Sequence, residues 1–287
     1  MSDAGLKKTD HDNYVVWNDL YKGNINADII ILGSSRAWVN VSTRIIDTVL
    51  GANSYNLGID GHNFKMQKCI YEVYLKNNHK PELIIHCLDI TTLSQQIELY
   101  NLGQTIPYLK DPIVSNTTKY YIGYEWIDYY NPFTKYFTRH ENLKIGLLEY
   151  FNLYNYKSTK YKGYKNNVVS WDGKYDLFIN NNPQGLWVSI DKEVLHSFDQ
   201  YLAKNCKDNI ETVLVFPPEL KEAQAFVLNK DSIINIYKSL SQKYNLRLID
   251  FSNDSICLSR KYFYNSSHLN KIGAEIFTLK LASLLQE

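Results

Sequence analysis

The chain has 287 residues, of which 45% are apolar, and its formal net charge is +1. This apolar content supports a continuous core and argues against disorder. The length suits one α/β domain with an insertion, or two small domains. Because basic and acidic residues are interspersed, without a basic stripe, the composition gives no indication of a nucleic-acid partner. The four cysteines show no metal-site spacing and leave the redox compartment open.

The start of the chain is polar, and residues 1–25 are predicted to form a polar N-terminal segment that resembles a linker rather than a folded element. No apolar run approaches the roughly 18 residues that span a bilayer, and no signal peptide is visible. Two expectations stay open. The protein is cytoplasmic with a loose tail, or the chain is trimmed after a targeting segment or membrane anchor and belongs to the periplasm or cell envelope. Only such an anchor would attach it to a membrane, and the oligomeric state is open.

Five short apolar runs predict buried strands, because runs of four to eight residues without strict alternation suit strands covered on both faces. Helical patterns separate most of them, with starts near Ser42, Asn63, Ser232 and Asn270. Alternating strands and helices predict a parallel sheet with right-handed crossovers, which binds ligands at the carboxyl ends of its strands. His86, in the third run, is predicted to pack as a strand residue. The predicted strands are residues 28–33, 54–58, 82–89, 211–216 and 246–251, and the last helix is predicted to bury Ile272, Ile276, Phe277, Leu281, Leu284 and Leu285.

Residues 90–190, between the third and fourth predicted strands, are too numerous for a simple loop. The stretch is rich in tyrosine and tryptophan, and helices are predicted over residues 118–130 and 142–154. Residues 26–287 are therefore predicted to form one domain that carries this insertion. The insertion is predicted to be a helical subdomain with its own aromatic core, or a lid over a substrate cleft, because exposed aromatic rings stack on sugars. The two roles are compatible.

A glycine and two serines follow the first predicted strand, in Gly33-Ser34-Ser35-Arg36. Glycine permits a sharp turn from strand to helix. A serine there would project its hydroxyl from the sheet edge, beside free N–H groups of a helix N-terminus that can hold an oxyanion. His268 stands after the fifth predicted strand and before the last helix. An imidazole with a pKa of about 6.5 is a suitable general base. Each motif alone is common, but together they predict a serine–histidine site.

These motifs, together with Asn-Leu-Gly-Ile-Asp-Gly-His-Asn at residues 56–63, resemble the SGNH/GDSL hydrolase superfamily, whose motifs fall in this order. The resemblance covers the predicted sheet and leaves the insertion unexplained. It implies a flavodoxin-like, three-layer α/β/α sandwich around a parallel sheet of five strands. It also implies that Ser35 is the nucleophile, that the N–H of Gly58 contributes to the oxyanion hole and that His268 is the base. The first and last motifs look most like those of a bacterial branch of envelope polysaccharide and acyl-transfer proteins.

The sequence departs from this family in two of the motifs that surround the proposed nucleophile and base. Ser34 replaces the Asp of Gly-Asp-Ser, and Asn265 replaces the Asp three residues before the histidine. An amide oxygen can accept the N–H of His268 but carries no charge to stabilise the imidazolium. In a serine protease, that exchange costs about 10⁴-fold in kcat. The chain would therefore use a dyad helped by Asn265, borrow a carboxylate such as Asp250 or Asp254, or be a weakened or inactive enzyme.

A third departure concerns the end of the third predicted strand, where the family usually places an Asn that donates to the oxyanion. Here that strand ends at Asp89. An ionised carboxylate cannot donate and would oppose an oxyanion. The oxyanion hole would then use the N–H groups of the nucleophilic serine and Gly58, helped by Thr91 or Asn63. Alternatively, Asp89 would pair with Arg36.

The resemblance implies two-step acyl chemistry on a small-molecule or glycan ester, with no metal and no organic cofactor. The leading hypothesis is a serine-dependent esterase of the GDSL-like lipase type that removes acetyl or other short acyl groups from a carbohydrate. The second is an O-acyltransferase that passes the acyl group to a hydroxyl of an envelope polysaccharide. The third is a carbohydrate-binding protein on a catalytically weakened SGNH-like core, and Asn265 and Asp89 motivate it.

Overall fold

The computed structural model describes residues 1–286, which form two compact units. The smaller unit consists of Met1–Asn26, Lys68–His79 and Gln96–Lys160, and the other described residues form the larger unit, called the sheet unit. The insertion predicted at residues 90–190 therefore contributes its central part to the smaller unit and its two ends to the sheet unit. Its role as a lid stays a prediction.

The sheet unit is built on five strands that all run parallel, in the order β2-β1-β3-β4-β5. Each strand lies within its predicted range, so the predicted five-stranded parallel sheet is confirmed. Gly33 is level with Cys87, and Cys87 is level with Val215, so the carboxyl ends of three neighbouring strands meet at one edge. The strands are β1 (Ile29–Gly33), β2 (Ser54–Asn56), β3 (Leu83–Cys87), β4 (Glu211–Phe216) and β5 (Arg247–Asp250).

Helices connect the strands, and four of them begin within two residues of the predicted starts. The α-helices are α1 (Ser2–Leu6), α2 (Val15–Lys22), α3 (Ser35–Trp38), α4 (Thr43–Leu50), α5 (Phe64–Asn77), α6 (Pro112–Thr118), α7 (His140–Tyr150), α8 (Lys174–Asn181), α9 (Lys192–Lys207), α10 (Lys221–Phe226), α11 (Lys230–Lys243) and α12 (Lys271–Leu285). The 3-10 helices are Leu102–Tyr108, Trp126–Tyr129, Thr134–Tyr136, Ser255–Leu258 and Arg260–Tyr262. Among the described residues, no helix combines the length and the apolar character needed to cross a bilayer.

Helices cover both faces of the sheet. On one face, Ile85 and Cys87 of β3 belong to a buried apolar cluster that includes Phe277 of α12. On the other face, the ring of His86 lies 5.4 Å from that of Phe198 in α9. Because successive residues of a strand point to opposite faces, the sheet lies between two helical layers, as the predicted three-layer sandwich requires. His86 is fully buried, which confirms that it packs as a strand residue.

The N-terminal residues are folded, and the prediction of a polar, linker-like segment over residues 1–25 is wrong. Helices α1 and α2 lie in this segment, and Leu6, Tyr14 and Trp17 are at most 1% exposed. Polar residues separate these apolar side chains in the sequence, so the composition of the segment does not indicate that they are buried. The apolar cluster of the smaller unit that Leu6 and Tyr14 join also contains Ile106, Tyr136 and Ile145.

Two predicted helical features differ from the structure. Residues 118–130 do not form one helix: α6 ends at Thr118, and Ile122 forms an isolated β-bridge with Glu98 before the next 3-10 helix begins at Trp126. A Cβ on Gly123 would lie only 2.4 Å from the side chain of Leu102, so the chain approaches its neighbour closely there. Ile272, predicted to be buried, is 59% exposed, because α12 turns the side of Phe277 towards the core instead.

Candidate active site

Ser35 begins helix α3 directly beyond the carboxyl end of β1. The strand ends at Gly33, where φ is 142° and a Cβ would come within 2.6 Å of the Cys87 carbonyl oxygen, so only glycine fits. Ser34 is the N-cap, and its Oγ accepts a hydrogen bond from the N–H of Arg36 at 3.3 Å. Within residues 1–286, the N–H of Ser35 donates to no protein group. The hydroxyl and the N–H of Ser35 therefore both lie at the sheet edge where ligands bind.

The imidazole of His268 lies against the Ser35 hydroxyl, with 2.7 Å between Nε2 and Oγ. Asn265 Oδ1 lies 2.9 Å from Nδ1 and also accepts the backbone N–H groups of Ser267 and His268, at 3.1 and 2.9 Å. Those two backbone donors identify this amide atom as the oxygen, so Nδ1 carries the proton and Nε2 accepts from Ser35. The structure thus brings together the three residues that the sequence placed in one constellation.

His268 is held in its neutral form. Burial, aided by the charge of Arg36 and opposed by that of Asp89, lowers the pKa of the imidazole to about 4. The ring of Tyr264 stacks on the imidazole, with 5.3 Å between the ring centroids. At neutral pH, Nε2 therefore has a lone pair available, which is the state that a general base requires.

Neither carboxylate considered as a substitute for an acid at position 265 supports the histidine. Asp250 Oδ1 accepts the N–H of Ser252 at 2.9 Å. Asp254 caps the 3-10 helix that follows it and pairs with Lys280 at 2.7 Å. The prediction of a carboxylate borrowed from Asp250 or Asp254 is wrong, because Asp250 is used within its own loop and Asp254 is paired with Lys280 of α12. The groups beside the imidazole Nδ1 are uncharged: the Asn265 amide oxygen at 2.9 Å and the Ser267 hydroxyl at 3.2 Å.

The N–H of Gly58, which the resemblance implies as an oxyanion donor, already donates to Asn56 Oδ1 at 2.9 Å. Asn56 is fully buried, and its Nδ2 donates to the carbonyl oxygens of Ala37 and Val41 at 2.8 and 3.0 Å. One side chain therefore joins the end of β2 to the helix that carries the serine. An oxyanion can take the Gly58 N–H only by displacing Asn56, which leaves the N–H of Ser35 as the open donor.

Gly58 has no room for a side chain, because a Cβ would lie 2.4 Å from the backbone nitrogen of Trp38 in α3. We expect Gly58→Ala to lower the free energy of unfolding by about 2–4 kcal/mol, since backbone must move to admit the methyl group. Gly51→Ala is the control: φ is 64° there, but nothing lies within 4 Å of the added Cβ. It should cost about 1 kcal/mol. Denaturant unfolding measures both variants, and equal losses would contradict the steric argument.

The carboxylate of Asp89 accepts hydrogen bonds from Ser34, the residue before the proposed nucleophile, and from Thr91 in its own loop. Ser34 Oγ donates to Oδ2 at 2.5 Å. The N–H and the hydroxyl of Thr91 both donate to Oδ1 at 2.7 Å. Asp89 is 4% exposed. The hydroxyl of Thr91, expected to help the oxyanion, is thus committed to Asp89, and Asp89 itself is an acceptor.

The alternative pair of Asp89 with Arg36 does not form among the described residues, and that prediction is wrong. Arg36 Nη2 donates to the carbonyl oxygens of Pro217 and Pro218 at 2.6 and 3.2 Å, and Nη1 lies 3.8 Å from Glu219 Oε2. Burial raises the pKa of Glu219, and the charge of Arg36 opposes that rise. The carbonyl groups beyond β4 have no strand partners. The guanidinium of Arg36 donates to them and does not pair with Asp89 at the end of β3.

Asn63, also expected to help the oxyanion, is a capping residue. Its Oδ1 accepts the N–H of Lys65 at 3.2 Å, at the start of α5, and its Nδ2 donates to the Ser94 carbonyl oxygen at 2.9 Å. These bonds join the first turn of α5 to the loop after β3. The structure therefore gives Asn63 a structural role in place of the expected oxyanion contact.

Three side chains that shape the site were not predicted: Asn40, Asn56 and Tyr264. Asn40 Oδ1 accepts the N–H of Leu269 at 3.0 Å, and this bond joins the segment after α3 to the loop that carries His268. Asn56 and Tyr264 lie inside or beside the motifs that were recognised, but sequence spacing does not reveal hydrogen-bond partners or ring stacking. Among residues 1–286, no three His, Cys, Asp or Glu side chains lie together in a way that could hold a metal ion.

Solved structures resemble this chain, whereas neither a protein-family model nor a curated protein matches its sequence. A protein described as an acylhydrolase from Bacteroides fragilis is 9% identical with a TM-score of 0.40, over 90% of this chain and 88% of that chain. The acetyl xylan esterase AlAXEase is 12% identical with a TM-score of 0.47, over 90% and 98%. A protein described as a platelet activating factor from Streptococcus pneumonia is 11% identical with a TM-score of 0.47, over 96% and 91%. The likeness concerns the fold alone.

Proposed function

We propose that this chain is a serine-dependent esterase or acylhydrolase, with Ser35 as nucleophile, His268 as general base and Asn265 as the residue that orients the base. The observation that carries the proposal is the 2.7 Å separation of Ser35 Oγ from His268 Nε2. The other imidazole nitrogen is held by Asn265 Oδ1 at 2.9 Å. A nucleophile, a base within hydrogen-bond reach and a third group that orients the base are what acyl transfer through an acyl-enzyme requires.

The reaction begins as Ser35 Oγ attacks the ester carbonyl carbon and its proton passes to Nε2 of His268. The carbonyl oxygen becomes an oxyanion, which the N–H of Ser35 stabilises. The imidazolium returns the proton to the departing alkoxide, so an alcohol leaves and the acyl group stays on Ser35. A water molecule then gives a proton to Nε2 as it attacks the acyl carbon. Collapse of the second oxyanion releases the acid, and the proton returns to Ser35 Oγ.

The proposed substrate is a short acyl ester on a carbohydrate. An exposed aromatic ring of the sheet unit supports this choice because such rings stack on sugars: Trp187 is 69% exposed. The test compares kcat/KM for an acetylated oligosaccharide with that for p-nitrophenyl acetate. A higher value for the sugar ester is expected, and equal values would remove the carbohydrate from the proposal.

A fluorophosphonate probe tests the nucleophile, because an activated serine displaces fluoride and becomes phosphonylated. We expect the wild-type protein to be labelled and Ser35→Ala to remain unlabelled. Ser239→Ala, which removes an exposed serine of α11, is the matched control and should be labelled like the wild type. Labelling that survives in Ser35→Ala would refute the assignment of Ser35.

The fate of the acyl group separates the esterase from the two other hypotheses. With an acyl donor and a glycan present, free acid as the only product supports the hydrolase, and an acylated glycan identifies an O-acyltransferase. A catalytically weakened carbohydrate-binding protein would bind the glycan and turn over no ester. Turnover that depends on Ser35 would exclude this third hypothesis.

A further inference from the structure

We propose that Asp89 is a positioning residue for the nucleophile: it holds the turn that presents Ser35 by accepting a hydrogen bond from the Ser34 hydroxyl. The inference rests on the proposed function of Ser35. It adds a role for two further residues: Ser34, which precedes the nucleophile, and Asp89, which follows the neighbouring strand β3. In this role Asp89 acts through Ser34 and not on the substrate.

The Ser34 hydroxyl connects two strand ends to the first turn of α3. Its Oγ donates to Asp89 Oδ2 at 2.5 Å and accepts the N–H of Arg36 at 3.3 Å. A hydroxyl has a single proton. Because Ser34 gives that proton to Asp89, its lone pairs remain for the N–H of Arg36. The bond to Asp89 therefore selects the orientation in which Ser34 caps the helix that begins at Ser35.

Asp89 is the fixed partner in this bond. Its Oδ1 accepts the N–H and the hydroxyl of Thr91 at 2.7 Å, and its carbonyl oxygen accepts the hydroxyl of Tyr237 at 2.9 Å. Its own N–H donates to Thr92 Oγ1 at 3.0 Å. Contacts on the backbone and on the second carboxylate oxygen leave Oδ2 pointing at Ser34. The hydrogen bonds that fix Asp89 beyond the end of β3 therefore also fix, through Ser34, the turn that presents Ser35.

The charge of Asp89 also has a structural explanation in this arrangement. A carboxylate near a developing oxyanion opposes it, yet three donors from Ser34 and Thr91 surround this one. Ser34 and Asp89 are two of the positions at which the sequence departs from the family motifs. The contact shows that these two departures are the two partners of one hydrogen bond, so they are expected to depend on each other.

Exchanging the two groups tests that dependence. In Ser34→Asp, two carboxylates would face each other across a contact that is now 2.5 Å long, and kcat is expected to fall about 100-fold with KM little changed. Asp89→Asn supplies one acceptor oxygen for three donors and should lower kcat about 10-fold. In the double variant, the new carboxylate at 34 caps α3 and accepts from the new amide at 89. We expect it to recover at least about 10-fold in kcat over Ser34→Asp.

A double variant no better than Ser34→Asp would overturn the proposal, and so would single variants that change KM alone. Hydrogen–deuterium exchange of residues 34–38 provides a readout independent of turnover. Exchange should accelerate in Ser34→Asp and return towards the wild-type rate in the double variant, and unchanged exchange in the single variant would refute the linkage. If this exchange pattern appears but the wild-type protein neither reacts with the fluorophosphonate nor cleaves esters, the proposed function fails while the linkage stands.

Discussion

His268→Ala is expected to lower kcat for ester hydrolysis by about 10⁴–10⁶-fold, with little change in KM. The imidazole that lies 2.7 Å from Ser35 Oγ would be gone, so the attacking hydroxyl would have to lose its proton to water. The leaving alkoxide would also depart without a proton donor. Because both proton transfers pass through one side chain, the loss should equal that of Ser35→Ala, and the two substitutions together should cost no more than either alone. Steady-state hydrolysis of p-nitrophenyl acetate measures these rates.

His196→Ala is the matched control, because His196 is an exposed histidine of α9 and should leave kcat unchanged. Thermal unfolding of both histidine variants shows whether each one is folded. A folded His268→Ala protein with kcat within about 10-fold of the wild type would place the base elsewhere. Fluorophosphonate labelling of His268→Ala should be as slow as that of denatured protein, since the Ser35 hydroxyl would lack activation.

The acid limb of the pH–rate profile is expected at about pH 4, and Asn265→Asp should move it upward. Protonation of His268 abolishes general-base catalysis, and burial lowers its pKa to about 4. A carboxylate at 265 would keep the acceptor contacts to Nδ1 and the two backbone N–H groups, and its charge would stabilise the imidazolium. An opposite charge at this distance should raise the pKa and the midpoint by about 1–3 pH units.

The same substitution is expected to raise kcat about 10-fold or more at pH 7–8, because the imidazolium of the transition state gains a counter-charge. The profile of kcat/KM between pH 3.5 and 9 measures both effects. Asn265→Ala is the control: it removes the acceptor without adding charge and should lower kcat at every pH. A midpoint near pH 6.5 in the wild type, or no upward movement in Asn265→Asp, would contradict the electrostatic account of His268.

Stability must be followed in the same experiments, because burial lowers the pKa of three histidines in the fold: His11, His86 and His268. Burial lowers the pKa of His86 to about 3, as it lowers that of His268 to about 4. In the unfolded chain each imidazole binds its proton at about pH 6.5, so the unfolded state takes up protons that the folded state does not. The free energy of unfolding therefore falls as the pH decreases from about 6.5 towards 4. Rates are compared only where the protein is folded.

The sheet and the serine–histidine pair could be predicted because strong local signals specify them. Three strands, β1, β3 and β4, are largely apolar runs with nearly every residue buried, and β4 matches its predicted bounds, Glu211–Phe216. Asn270 caps α12 through the N–H of Gly273, as a residue of its type at a helix start predicts. In a parallel sheet, residues after β1 and after β5 reach the same edge, so the topology permits Ser35 to meet His268 although β3 and β4 lie between the two strands.

Partners determined by rotamers and by distant loops could not be predicted. The Gly58 N–H is taken by Asn56, a neighbour whose side chain could equally have pointed elsewhere. Arg36 meets the carbonyl oxygen of Pro217, 181 residues away, and only the packing of the loop beyond β4 brings the two together. The burial of Leu6 likewise depends on chain segments far from α1 in sequence. The composition of a segment gives its own tendencies. It does not show which distant part of the chain will pack against that segment.

The hydrogen bonds that join residues 35–42 to residues 268–278 connect positions far apart in sequence. Ser35 and His268 are separated by 233 positions, Asn40 and Leu269 by 229, and Ser42 and Thr278 by 236. Closing such long loops is entropically unfavourable until the elements between them are in place. No short fragment of the chain can therefore assemble the pair, and catalytic competence is a property of the cooperative unit. Activity and the tertiary structure of the sheet should disappear at the same denaturant concentration, so turnover itself would report unfolding of the sheet unit.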